Sequence, residues 1–433
     1  MRILMLSWEF PPVLVGGLGR HVHALAGALA HAGHDVTVVT RYGEHSDGSP
    51  AALDETVEYA NPAGAVSKVR VVRAPDDPPA FPFAHDTLMQ WAMGLNHSLT
   101  RAALHAAKTQ DFDVVHAHDW LVTHAAVTLK HHLGVPLTAT LHSTEAGRHR
   151  GWLPNEVSKS IHAIEWWLTY EARRVLVCSE YMRWEVNQLF DLPSDKAVVV
   201  PNGVDVEAFT VEPARARTAR DRFAPQGPLL VYAGRLVHEK GVQDLLDAVP
   251  VLAERHPGLR VVVAGEGAYE PELRDQAARR HVADKVTFSG FMSGDRLPEL
   301  MAAADCFVMP SRYEPFGMVA LEAAAAGTPV VAAECDGLAE FIVDGDTGST
   351  HTPGDPEALA DAVSRVLDDS ALAQRLRDRA AAMVRERFTW ASIAEQVAQV
   401  HRQAEEGERA VEAQLAAEEL RIVIPDGKNL LGI

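Results

Sequence analysis

The chain has 433 residues, too many for one hydrophobic core of ordinary size, so two domains are expected. It carries 40 Lys and Arg against 59 Asp and Glu, and the formal net charge of −19 disfavours nucleic acid and anionic lipid as partners, since both select a basic face. Cys178, Cys306 and Cys335 lie far apart without a CxxC pair, which argues against a disulfide or zinc framework and fits a reducing, cytoplasmic setting.

In chain order, Ile3–Leu6 is the first predicted strand. Trp8, Glu9 and two prolines then break the apolar stretch, so it does not read as a signal peptide. No apolar run reaches the roughly 18 residues of a bilayer span, so no integral membrane segment is expected. LVGGLGR at 14–20 follows, then a helical pattern over Arg20–Ala32. Six further candidate parallel strands are Val36–Thr40, Val69–Val72, Val114–His116, Leu137–Thr140, Val175–Cys178 and Ala197–Val200, with another helical pattern over Ile161–Ala172. A boundary is expected near PNGVDVEAF (201–209), because VEPARARTARDRFAPQGP beyond it is polar, rich in Arg and Pro, and ends where a fresh strand begins. The strands then resume at Leu229–Ala233, Arg260–Ala264, Lys285–Phe288, Cys306–Met309 and Pro329–Ala332.

Alternating strands and helices predict an α/β chain of two Rossmann-like, doubly wound domains facing across a cleft. The expected division is 1–205, 206–387, a helix over 388–405 crossing back to the first domain, and an acidic tail over 406–433. The tail's last part, IVIPDGKNLLGI, carries no functional signal.

Each half opens on strand, glycine-bearing loop, helix. GGLG alone reads most simply as a tight turn, since it is not GxGxxG. In GRLVHEKG (234–241), Arg235 and Lys240 flank a loop after a strand and can grip a diphosphate from two sides; alone they would pass for surface cations. SRYEPFGMVALEAAAAG (311–327) sets Glu314 on a loop and Glu322 one turn into the following helix. The amides of Phe316, Gly317 and Met318 fall at the helix start, where unpaired N–H groups favour anions or sugar hydroxyls. Glu322 can accept from two neighbouring ribose hydroxyls and Glu314 can reach a reacting sugar; the plain alternative is that both are helix-start carboxylates.

Together GGLG, TLH (140–142), NGVD (202–205), GRLVHEKG, AGEG (264–267) and EPFGMVALEAAAAGTPVV (314–331) resemble the retaining GT-B glycosyltransferases, the large family that includes glycogen synthases, sucrose synthases and mannosyltransferases. SWEFPP-x4-GGLG, HAHDW (116–120) and HSTEAGR (142–148) look closest to archaeal-type and actinobacterial α-1,4-glucan synthases. The resemblance implies that Arg235 and Lys240 neutralise the departing diphosphate, that Glu322 holds the ribose, and that Gly265 and Gly267 line the base side. It places Glu314 beneath the donor sugar beside the amides of Phe316, Gly317 and Met318, His142 on that sugar, and the backbone of Gly16 and Gly17 near the donor phosphates and the transferred sugar. Asp119 falls on the acceptor side, and Asn202 at the hinge.

The implied activity is transfer of glucose from ADP-glucose or UDP-glucose to the non-reducing end of an α-1,4-glucan. The alternative is a family 4 transferase with a lipid or small-molecule acceptor. A pyridoxal phosphate-dependent phosphorylase would need a Schiff-base lysine, and a nucleotide-sugar sensor would not need leaving-group cations. Many ADP-glucose enzymes carry K-x-G-G-L, where this chain has Leu14 and Val15 before GGL; UDP-glucose, or both donors, thus stays open. No metal or other cofactor is expected, because Arg235 and Lys240 supply the charge and no DxD-like set stands in a loop. Same-face attack and a double displacement through Glu314 both remain possible, the former favoured.

Other features receive plain readings. His116, His118 and Asp119 are taken to point to opposite faces of a strand end, His21 and His23 to diverge, and the histidines to form no metal cluster. At least one of Trp166 and Trp167 is expected in the core, while Trp152 in HRGWLP is the candidate for acceptor contact.

Overall fold

The computed structural model describes residues 1–45, 47–61, 64–75 and 81–419; the end of the predicted acidic tail, 420–433, lies outside the described residues. Eight strands form the first sheet: β1 (Arg2–Leu6), β2 (Asp35–Arg41), β3 (Asp54–Ala60), β4 (Val66–Ala74), β5 (Val114–His118), β6 (Leu137–Leu141), β7 (Arg174–Val177) and β8 (Ala197–Val199). Their order is β3-β4-β2-β1-β5-β6-β7-β8. Six form the second: β9 (Leu229–Ala233), β10 (Arg260–Ala264), β11 (Val286–Gly290), β12 (Cys306–Met309), β13 (Val330–Ala333) and β14 (Ser349–His351), in the order β11-β10-β9-β12-β13-β14.

The order reverses at β1 in one sheet and at β9 in the other. Ile3 pairs with Val36 on one side and Val114 on the other, and Leu230 pairs with Val261 and Cys306. In a doubly wound sheet a crevice opens at such a reversal, beyond the carboxyl ends of the strands. The GGLG loop follows β1 and the GRLVHEKG loop follows β9, so both motifs stand at switch points.

Two strands escaped the sequence reading. β3 runs antiparallel to β4 at the sheet edge, and its DETVEYA alternates between exposed and half-buried positions without an apolar run. β14 is only three residues long. The polar stretch 211–228 contains a helix that the sequence reading did not list, Pro213–Phe223, opened by Pro213 and stitched to the second domain by Arg220, which donates to Asp305 at 2.7 Å and to the Ala303 carbonyl at 3.0 Å.

The predicted return helix is longer than expected. Trp390–Glu419 is continuous, so residues 406–419 extend the helix rather than starting a separate tail. Ile393, Ala394, Val397 and Val400 pack with Val22, Leu25 and Leu29 of the helix Gly17–His31 and with Ile3 and Val36 of the first sheet. Each such aliphatic side chain, fully buried, contributes about 1.5–3 kcal/mol, which fixes the last helix to the first domain. The chain crosses between domains twice at adjoining points, where the Val204 amide donates to the Phe388 carbonyl at 2.8 Å.

Candidate active site

The glycine loop after β1 is shaped by a residue outside GGLG itself. The buried carboxylate of Glu9 accepts from the amides of Val15 at 2.8 Å and Gly16 at 2.9 Å. Burial raises its pKa, and the Val15, Gly16 and Gly19 amides oppose that rise. The Gly16 amide, expected near the donor phosphates and the transferred sugar, donates to Glu9 here. Gly17 begins the helix, and a Cβ there would lie 3.6 Å from Met318 Sδ of the second domain. Two helix starts, Gly17–His31 and Met318–Ala325, thus face each other across the cleft.

In the second domain Lys240 closes a short 3-10 turn (His238–Lys240), and its Nζ donates to Glu314 Oε2 at 2.7 Å. Ser311 Oγ donates to the same oxygen at 3.1 Å. The Glu314 amide donates to Asp336 Oδ2 at 2.9 Å, and the Asp336 carboxyl is pushed up by burial. Lys240 and Glu314, singled out separately in the sequence, therefore form one largely buried ion pair, braced on both sides. Arg235 is freer: its side chain is 45% exposed and 3.9 Å from Glu239. Desolvation in the cleft, and then the nearby Arg148 charge, lower its pKa.

The helix start at Gly317 requires glycine. Its φ is +102°, and a Cβ would lie 2.8 Å from Leu338 Cδ1. Phe316 is buried against Phe341 and Phe388, so only its backbone is available to a ligand. Gly265 and Gly267 are required by packing as well. A Cβ at Gly265 would lie 1.8 Å from the Gly234 carbonyl oxygen, and one at Gly267 2.2 Å from that of Leu236. These glycines let the AGEG loop pack on the loop that carries Arg235.

On the first domain the backbone amide of His142 donates to Asp119 Oδ1 at 2.8 Å, so Asp119 sets the His142 loop. His142 Nε2 lies 3.3 Å from His118 Nδ1, and the His21 ring lies 4.5 Å from the His142 ring. The expectations about these histidines are corrected. His116 and His118 are two residues apart on one strand and so share a face, with ring centroids 4.2 Å apart. His21, His118 and His142 form a cluster whose ligand atoms lie within 4.8 Å of one another. Burial first, then neighbouring histidines for His21 and His118, lowers the pKa of all three, and neutral rings can offer one N–H and one lone pair each. Asn202 is buried beside His21 and partly offsets that burial.

Trp152 is not drawn into this buried group; it is 69% exposed. Trp167 packs against the core while Trp166 stays exposed, stacked on Tyr170 at 5.4 Å. A further set of interdomain contacts gave no sequence signal. Tyr313 OH donates to Glu185 Oε1 at 3.2 Å, Ser179 Oγ donates to the Pro315 carbonyl at 2.7 Å, and Gly147 leaves room for the Tyr313 hydroxyl. The loop that carries Glu314 is thus seated on the first domain.

Two facing Rossmann-like domains, with paired cations, carboxylates and a helix start in the cleft, define a GT-B glycosyltransferase. Residues 15–208 match Glycosyltransferase Family 4 and residues 217–383 match Glycosyl transferases group 1. The chain belongs to this glycosyltransferase family. It is 43% identical over 422 residues to a protein named glycogen synthase from Mycobacterium tuberculosis, covering 96% of this chain and 98% of the relative. It is 32% identical to a D-inositol 3-phosphate glycosyltransferase of Streptomyces avermitilis, over 94% of this chain and 89% of the relative. Among solved structures, the sucrose-phosphate synthase of Thermosynechococcus elongatus superposes with a TM-score of 0.78 at 25% identity, covering 93% of this chain and 98% of that one. The catalytic domain of Arabidopsis thaliana starch synthase IV, bound to ADP and acarbose, shares the fold with a TM-score of 0.73 at 19% identity, over 94% and 99% of the two chains.

Proposed function

We propose that this enzyme is a retaining glucosyltransferase that moves glucose from ADP-glucose or UDP-glucose to the non-reducing end of an α-1,4-glucan. The observation that carries the reading is the Lys240–Glu314 pair, 2.7 Å apart beside Arg235 and the Met318 helix start. Similarity over nearly the whole chain to the glycogen synthase of M. tuberculosis supports the choice of donor sugar and acceptor.

In this reading Arg235 and Lys240 take the diphosphate, and the charge that develops as it leaves is stabilised by several kcal/mol. The amides of Gly317 and Met318 have no preceding turn to bond to, and they hold hydroxyls of the transferred glucose. His142, oriented through Asp119, contacts the same sugar from the first domain. Glu314, charge-paired with Lys240 and hydrogen-bonded by Ser311, is a poor nucleophile. We therefore favour same-face attack, in which a departing phosphate oxygen takes the proton of the acceptor hydroxyl. The two side-chain cations replace a metal ion, so transfer is metal-independent. Work in the cytoplasm is supported by three buried, unpaired cysteines; no helix among the described residues is long and apolar enough to cross a membrane.

The test is elongation of maltohexaose, followed by chain-length analysis, with each donor in excess EDTA. Successive one-glucose extension, cleaved by an α-1,4-specific hydrolase, is the expected result. Nucleotide-sugar turnover that never extends the glucan would move the function to another acceptor, with inositol phosphates and lipids next to be tried. Loss of extension in EDTA, restored by a divalent cation, would overturn metal independence.

A further inference from the structure

Arg20 is the last residue of LVGGLGR and lies one turn into the helix Gly17–His31 of the first domain. Its Nη1 donates to Glu322 Oε1, in the helix Met318–Ala325 of the second domain, at 2.7 Å. Glu322 is buried, while Arg20 reaches it from the half-exposed cleft. Among the described residues the other carboxylate oxygen, Oε2, is buried without a hydrogen-bond partner. A buried, unpaired carboxylate oxygen costs several kcal/mol and is retained where a ligand fills it.

We infer that Arg20 is a positioning residue for donor recognition: it holds Glu322 from across the cleft by one oxygen and leaves the other free to accept a ribose hydroxyl of the nucleotide. The inference rests on the donor site proposed above. Arg20 is also the cation that opposes the rise in Glu322 pKa caused by burial, which favours the charged, accepting form of the carboxylate. The two groups sit on different domains, so the acceptor is completed only when the helix starts face each other as they do here. Recognition of the ribose is thereby tied to domain closure.

The experiment compares affinities for UDP and 2′-deoxy-UDP, and for ADP and 2′-deoxy-ADP, in the wild type, Arg20→Ala and Arg20→Lys, with thermal melts to verify folding. A hydrogen bond to a charged acceptor is worth roughly tenfold or more in affinity. The wild type should therefore prefer the ribonucleotides by at least about tenfold, and Arg20→Ala should bring the ratio toward unity while Arg20→Lys restores part of it. Donor KM should rise in Arg20→Ala with kcat little changed. A purely structural role would weaken both nucleotides alike and leave the ratio intact. A folded Arg20→Ala that discriminates as well as the wild type would overturn the role of Arg20 alone. A wild type that binds no nucleotide, or does not discriminate, would overturn the donor-site reading beneath it.

Discussion

The two halves of the molecule open alike, on a strand at a topological switch point, a glycine-bearing loop and a helix, yet the loops carry opposite charge. After β1, Glu9 is buried against the amides of Val15 and Gly16. After β9, the corresponding loop presents Arg235 and Lys240, with Lys240 on Glu314 at 2.7 Å. A glycine turn supplies close approach, but the neighbouring charge decides what approaches. In the proposed reading the first loop, already satisfied by an internal carboxylate, meets the neutral sugar and acceptor, and the second meets the diphosphate.

The contrast is broken most severely at Lys240. Lys240→Ala removes the cation and leaves Glu314 unpaired in a buried position. Turnover should fall by about 10²–10³, in line with loss of one preorganised transition-state contact. Stability should also fall by about 3–5 kcal/mol, as for one partner of a buried pair. Steady-state kinetics on the folded variant, with denaturant melts alongside, checks both.

A smaller effect sharpens the contrast from the side of the first domain. Burial lowers the pKa of His21, His116, His118, His142 and His401, the last from 6.5 to about 3. The unfolded chain binds protons near pH 6.5 that the native rings refuse. Their contribution to stability is therefore complete above pH 6.5 and is lost as pH falls below it, by up to about 1.4 kcal/mol per pH unit for each ring. Glu165 and Glu185, whose pKa values burial raises, act in the opposite sense as pH rises through the acid range. The histidine part is isolated by His401→Gln, whose melting temperature should drop less than that of the wild type between about pH 7 and about pH 5.5. An unchanged slope would remove His401 from the account.

Much of the fold was legible because buried parallel strands such as Val114–His118 read as continuous apolar runs, whereas β3 hid its register among the charges of DETVEYA. The helix Pro213–Phe223 was missed because it buries Ala219 alone and shows no apolar stripe. Arg235, Lys240, Glu314 and Glu322 were legible as a local pattern, and the glycogen synthase resemblance agrees with the 43% identical relative. Glu9 was not singled out although it lies only six and seven positions before the amides it accepts from, whereas Arg20, Asp336 and the histidine cluster were hidden because each acts through a tertiary contact. Arg20 and Glu322 are 302 positions apart, and no local spacing announces such a pair.

The claim that charge, not glycine, assigns the diphosphate to the second loop is tested most directly by calorimetric titration of UDP and ADP into the wild type, Lys240→Ala and Glu9→Gln. Lys240→Ala should weaken the preferred nucleotide by about tenfold or more, roughly 1.4 kcal/mol, while the isosteric Glu9→Gln stays within about threefold of the wild type. Equal losses in both variants, or a larger loss in Glu9→Gln, would contradict it.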